Sequence, residues 1–296
     1  MAAMPYAPVD GIELCYDTLG DPADPTILLV RGIGGQMIEW QDEFCQAIAD
    51  RGFHVVRYDN RDVGLSTHLE EPVDDVFALL AAMEDGQPVT VPYLLSDMAA
   101  DAVGLLDHLG VARAHVVGMS MGGMIGQVMA IEHPSRLLSL TSMMSTTGDP
   151  DVGLPTAEAI QALWAPPAKT RQEAQDGKVA HAHVWGSPGM FDEDELRRMA
   201  GELWDRDHDP SGTPRQLAAI LASGSRSEAL RTIDIPTLVI HGTADTLVAP
   251  SGGERTAEVV PDAKLLLIEG MGHDLPRPLW PRLVDAICSH AAQHSG

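Results

Sequence analysis

The feature that most narrows the fold is one hexapeptide, Gly118-Met119-Ser120-Met121-Gly122-Gly123, lodged between two segments of different character. Before it, residues 115–119 (H-V-V-G-M) make a short apolar run. After it, residues 121–133 are rich in small and apolar side chains and stop just before Pro134. A short run that is apolar throughout reads as a strand covered on both faces, and the longer stretch reads as a helix ended by a proline. The glycines two residues before and after Ser120 permit a turn too tight for side chains there. A strand that passes straight into a helix is one βα unit, and a succession of such units builds a parallel sheet.

The alternation recurs. Thr26–Val30 (T-I-L-L-V), His54–Tyr58 (H-V-V-R-Y), Leu137–Met143, residues 236–241 and Lys264–Ile268 are predicted strands. Residues 40–50, 96–109 and 279–292 are predicted helices, the second stopped by Gly110. From Thr146 to about Ser227 the pattern breaks. Proline, glycine and charged residues dominate, with Trp164, Trp185 and Trp204 scattered among helical fragments. The expectation is an α/β fold with a mostly parallel central sheet flanked by helices. Residues 1–145 and 231–296 form its core, and residues 146–230 a mostly helical cap. The 296 residues suffice for both.

A formal charge of -24 repels phosphate backbones and anionic headgroups, so no nucleic-acid partner is expected. No apolar run approaches the ~20 residues of a membrane span, so no membrane insertion is expected. The first ten residues lack a basic region followed by an apolar stretch. No secretory signal is read there, and the cytoplasm is the expected compartment. Cys15, Cys45 and Cys288 are odd in number and far apart, which supports neither a disulfide framework nor a zinc site. The sequence leaves the oligomeric state open.

Ser120 fits G-x-S-x-G between a strand and a helix, the arrangement that lifts a serine hydroxyl above the edge of a sheet. The helix N-terminus behind it aims the Met121 N–H at the place where an oxyanion forms. A serine needs a histidine as base, and the histidine needs a carboxylate to orient it. With the nucleophile on such a turn, the acid and then the histidine follow in the chain. His273 stands in Gly270-Met271-Gly272-His273, past a late strand. Asp245 stands in His241-Gly242-Thr243-Ala244-Asp245, past another. His115, His133 and His241 fit worse by position, and Asp274 is adjacent to His273, where side chains rarely orient each other. The second oxyanion donor is expected in Arg31-Gly32-Ile33-Gly34, from the Ile33 N–H, with Gly34 as the fallback.

With these residues in hand, the chain from Thr26 to its tail resembles the α/β-hydrolase superfamily throughout, except in the insertion. The matching segments are L-L-V-R-G-I-G-G, H-V-V-R-Y-D-N-R-D-V-G-L-S, H-V-V-G-M-S-M-G-G, P-T-L-V-I-H-G-T-A-D and E-G-M-G-H-D-L-P. More narrowly, G-D-P-A-D-P, W-Q-D-E-F and A-D-A-V-G-L-L-D-H-L-G-V-A-R-A-H-V-V-G-M-S-M-G resemble the aclacinomycin methylesterases, which remove a methyl ester from a polyketide antibiotic. The resemblance implies an α/β-hydrolase fold and ester hydrolysis, and it does not carry that substrate over; soluble small-molecule esters, methyl esters among them, are the expected substrates. Two departures stand out. Arg31 replaces the usual histidine before the oxyanion glycine, and Asp62 replaces the usual second glycine of D-x-R-G-x-G-x-S, which reads as a structural change. Residues 71–95 also look longer than in that relative.

The expected reaction is two-step acyl transfer through an acyl-enzyme, with no metal or organic cofactor. His273 must be neutral to act, so activity is expected to fall on acidification through the ordinary histidine range, ~6.5. Lactonase, C–C hydrolase, acyltransferase and perhydrolase chemistry use the same triad. Ser120 argues against dehalogenases and epoxide hydrolases, which need an aspartate nucleophile. A ligand receptor on the same fold is the alternative outside enzymes. Trp164, Trp185, Met190, Phe191 and Trp204 read as packing anchors, which argues against a lipase lid.

Overall fold

Asp10 and Gly11 both adopt positive φ, 41° and 86°. Two successive residues of that kind suit a tight hairpin, and they fold Tyr6–Val9 (β1) back on Ile12–Leu19 (β2) in antiparallel register. The sequence expectation omitted this hairpin. The computed structural model describes residues 4–73, 76–85, 87 and 89–295.

The remaining elements follow in the expected alternation: Thr26–Val30 (β3), Asp42–Ala49 (α1), His54–Tyr58 (β4), Val76–Glu84 (α2), Leu95–His108 (α3), Ala114–Met119 (β5), Met121–Glu132 (α4) and Leu137–Met143 (β6). Five helices come next: Ala157–Leu163 (α5), Arg171–Trp185 (α6), Glu193–Arg206 (α7), Gly212–Ser223 (α8) and Ser227–Leu230 (α9). The chain then resumes with Thr237–Gly242 (β7), Ser251–Val259 (α10), Lys264–Ile268 (β8) and Trp280–Ala292 (α11). The helix expected at 40–50 starts two residues later, after a short turn at Met37–Glu39, with Asp42 and Glu43 complementing its N-terminal dipole. Residues 71–95 hold α2. Positions 74, 75, 86 and 88 of that segment lie outside the described residues.

The strands form one eight-stranded sheet in the order β1-β2-β4-β3-β5-β6-β7-β8. From β4 to β8 every pairing is parallel. Successive side chains on a strand point to opposite faces, and two apolar layers result. Leu28, Val30, Val56 and Val116 pack with residues of α3 and α4. Ile27, Leu29, Val55 and Val117 pack with residues of α1 and α11. Both faces are covered, which is why these strands read as continuous apolar runs. A parallel sheet sets all its strand ends at one edge, so the loops after β3, β5, β7 and β8 emerge together.

The α5–α9 segment is fastened to the sheet side by ion pairs. Arg206 reaches Asp59 at 2.6 Å, Arg215 reaches Asp62 at 2.8 Å, and Lys178 pairs with Glu39. Asp62 sits at φ 68°, the left-handed backbone that glycine would otherwise supply. Its carboxylate accepts from Arg215, the Tyr93 hydroxyl and the Leu69 N–H. Those bonds agree with the structural reading of this residue. No helix among the described residues is long and apolar enough to cross a membrane.

Candidate active site

Ser120 occupies the turn between β5 and α4 at φ 56° and ψ -123°. A non-glycine residue there is strained, and the surrounding bonds hold it. Its N–H donates to the Met143 carbonyl at 2.8 Å. Its carbonyl accepts from Gly123 and Met124 N–H and from the Ser145 hydroxyl. A Cβ on Gly118 would lie 2.0 Å from the Gly122 carbonyl oxygen, and one on Gly122 would lie 2.1 Å from that of Val30. The requirement for glycine two residues either side of Ser120 is therefore a matter of backbone packing.

The loop after β3 abuts the serine. A Cβ built on Gly32 would lie 3.0 Å from Ser120 Cβ and 3.5 Å from its Oγ. Gly34 N–H is spent on the Gln216 side chain of α8 at 2.8 Å. Among the described residues, the N–H groups of Ile33 and Met121 make no hydrogen bond. Of the two donors considered in that loop, Ile33 is the one without a partner among the described residues.

Asp245 and His273 meet, the carboxylate Oδ2 lying 2.7 Å from the imidazole Nδ1. The other carboxylate oxygen, Oδ1, accepts from Leu247 and Val248 N–H at 2.9 and 2.8 Å. His241 Nε2 lies 3.4 Å from Asp245 Oδ2 and hydrogen-bonds the Val248 carbonyl. Burial alone would raise the Asp245 pKa, but the His273 and His241 imidazoles beside it bring it down to about 2. The carboxylate is therefore ionised at neutral pH. Ser120, Asp245 and His273 are each less than a tenth exposed. Among the described residues, no hydrogen bond joins the Ser120 hydroxyl to His273.

His273 lines a cavity of about 520 Å³, and Ser120 is not on its wall. Trp185, Met190 and Phe191 line it too. The end of α6 and the chain after it lie against the His273 loop and carry these side chains with them. Trp185 stacks on His181 with ring centroids 4.6 Å apart. Trp204 stacks on His208 instead, beside a second cavity.

Arg31, the residue that departs from the usual histidine, lines the same cavity as His273, and its Nη1 reaches Met119 Sδ at 2.8 Å. Its guanidinium lies 5.5 Å from the Trp40 ring centroid and 3.4 Å from the Glu39 carboxylate. Burial works against ionisation of Glu39, yet Lys178 and Arg31 hold its pKa down at about 2. Sequence reasoning missed this half-buried triplet, because Lys178 enters it from α6, 139 residues beyond Glu39.

Comparison with known proteins agrees with this architecture. The chain is 34% identical to rhodomycin D methylesterase of Streptomyces peucetius, over 95% of each protein. It is 33% identical to rhodomycin D methylesterase of Streptomyces sp. strain C5, again over 95% of each. In three dimensions it resembles a meta-cleavage product hydrolase from Pseudomonas fluorescens, with a TM-score of 0.76 and 19% identity over 98% of this chain and 97% of that one. The sequence profile of the alpha/beta hydrolase fold matches residues 25–276, and the chain belongs to that family.

Proposed function

We propose that the protein is a serine carboxylic ester hydrolase acting on small-molecule esters, methyl esters among them, with Ser120 as nucleophile, His273 as base and Asp245 as the orienting acid. The observation that carries this reading is the 2.7 Å bond between Asp245 Oδ2 and His273 Nδ1, at the same sheet edge as the strained turn of Ser120. Identity of 34% to a methylesterase over nearly the whole chain supports the reaction type. Residues 1–145 and 231–296 act as the catalytic core and residues 146–230 as its cap.

Asp245 holds the imidazole with Nδ1 protonated, which leaves Nε2 as the base. Nε2 takes the Ser120 proton as Oγ attacks the ester carbonyl, and the oxyanion is met by Ile33 and Met121 N–H. The tetrahedral adduct collapses when His273 passes that proton to the leaving alkoxide, releasing an alcohol and leaving an acyl-serine. Water then gives a proton to His273 and attacks the acyl carbon. The second adduct expels Ser120, which recovers the proton, and the carboxylic acid departs. The serine–histidine bond of such sites is commonly long without substrate and tightens when it binds.

The test is hydrolysis of p-nitrophenyl and methyl esters by the wild-type protein and by Ser120→Ala, together with labelling by a fluorophosphonate. The expected result is turnover lost in Ser120→Ala and a single adduct on Ser120. Turnover that survives the substitution, or an adduct on another residue, would overturn the assignment.

A further inference from the structure

The last turn of α6 ends directly against the loops that carry Asp245 and His273. A helix leaves its final carbonyls without partners inside the helix, and here those loops supply them. Thr246 Oγ1, next to Asp245, donates to the Val184 carbonyl at 2.7 Å. The backbone N–H of His273 donates to the Trp185 carbonyl at 2.6 Å. Beyond the helix, Ser187 is fully buried, and its hydroxyl accepts from Gly272 N–H at 2.8 Å while donating to Asp274 Oδ1. Ser187 N–H donates to the second carboxylate oxygen of Asp274 at 3.0 Å. Residues 272, 273 and 274 are therefore each bonded to the chain at Trp185–Ser187. The approach is close, for a Cβ on Gly272 would lie 2.4 Å from the Trp185 carbonyl oxygen.

We propose that Ser187, through Asp274 and Gly272, is a positioning residue that clamps the His273 loop to the end of α6. His273 has 2.7 Å contact with Asp245 on one side and must reach Ser120 on the other. Its backbone is fixed by the helix end and by Ser187, and not only by its own strand. Asp274 is thereby given a task its position beside His273 conceals. It does not orient the ring, and it spends both oxygens holding Ser187. The clamp stands on the hydrogen bonds alone, and only its kinetic consequence rests on the ester-hydrolase reading.

The test compares Ser187→Ala with the wild-type protein by hydrogen exchange of peptides covering residues 270–275 and by ester kinetics. The expected result is faster exchange in that segment, with kcat down about 10- to 100-fold and KM nearly unchanged, since misplacement of a reacting group costs rate more than binding. A role confined to packing would lower the melting temperature and leave kcat as it was. A folded Ser187→Ala variant with wild-type exchange, or with wild-type kcat, overturns the proposal. Should that variant not fold, Asp274→Asn keeps the shape and one acceptor for Ser187. A smaller fall in kcat with faster exchange then supports the clamp, and an unchanged kcat overturns it. A wild-type protein inert toward every ester removes the hydrolase reading alone, because faster exchange in the variant still reports the clamp.

Discussion

Arg215 closes on Asp62 with two hydrogen bonds, Nε to Oδ2 and Nη2 to Oδ1, both 2.8 Å long, across 153 residues of sequence. The side chains are 4% and 0% exposed, so solvent cannot stand in for either. The pair joins α8 to the turn that follows β4, and it does so at a residue whose backbone already sits at φ 68°.

Removing the arginine leaves a buried carboxylate with, among the described residues, the Tyr93 hydroxyl and the Leu69 N–H as its donors. Arg215→Ala should therefore destabilise the fold by about 3 kcal/mol or more. The double variant Asp62→Gly, Arg215→Met removes both charges and relieves the backbone strain, and should recover most of that loss. Urea unfolding of Asp62→Gly, Arg215→Met and the double variant gives the coupling directly. A loss below about 1 kcal/mol in Arg215→Ala, the size of an exposed pair, would show that the site is wetter than its burial says.

Asp245→Asn tests the orienting role. Oδ1 receives two backbone N–H groups, from Leu247 and Val248. An asparagine must turn its carbonyl toward them, and its amide NH2 then faces His273 Nδ1. The imidazole is forced to carry its proton on Nε2, where it cannot act as base. The expected fall in kcat is about 10⁴-fold, as for the same change in other triads. The melting temperature should move far less. A kcat within tenfold of wild type would pass the orienting role to another group.

Much of this site was legible because the parallel sheet does the assembling. Once β5, β7 and β8 are placed as parallel strands of one sheet, residues just past their ends have to meet at one edge, wherever they lie in the sequence. β3, β4, β6 and β8 have the bounds expected of them, although β8 is an edge strand that leaves Leu265 and Leu267 exposed. The β1–β2 hairpin was missed although Asp10-Gly11 signals it, because Ile12–Leu19 mixes Glu13 and Asp17 into its pattern. What the α5–α9 segment does was not legible at all. Its decisive contacts, Arg215 to Asp62, Gln216 to Gly34 and Ser187 to Asp274, are single polar residues with no periodicity to announce them.

Gly32→Ala probes the contact between the oxyanion loop and Ser120. The added methyl would stand 3.0 Å from Ser120 Cβ and 3.3 Å from the Met119 carbonyl oxygen. That is tight, and a shift of a few tenths of an ångström relieves it. The fold should survive while the serine and the Ile33 N–H lose their alignment, with kcat lower by about tenfold. Gly122→Ala is the contrast. Its methyl meets backbone at 2.1 Å, so this variant should lose stability before it loses rate. Thermal melts beside kcat for both variants separate the two effects, and equal melting temperatures would contradict the packing argument.

Two histidines far from the cavity should govern acid stability. Burial, with neighbouring positive charge, lowers His115 to about 4. Burial lowers His290 to about 4 as well, against the Pro236 carbonyl, whose bond to the ring favours the charged form. Both rings are therefore neutral in the fold, whereas the unfolded chain takes up protons below ~6.5. The unfolded state binds more protons between those values, so stability falls as pH falls from ~6.5 to about 4, and it is fully present above that window. Each ring accounts for up to about 3 kcal/mol of the loss. His290→Gln keeps a donor for the Pro236 carbonyl, which His290 Nε2 now engages at 3.2 Å. Urea unfolding at pH 7 and pH 4.5 should show a smaller drop in this variant than in the wild-type protein. An identical drop would remove His290 as a source of the acid sensitivity.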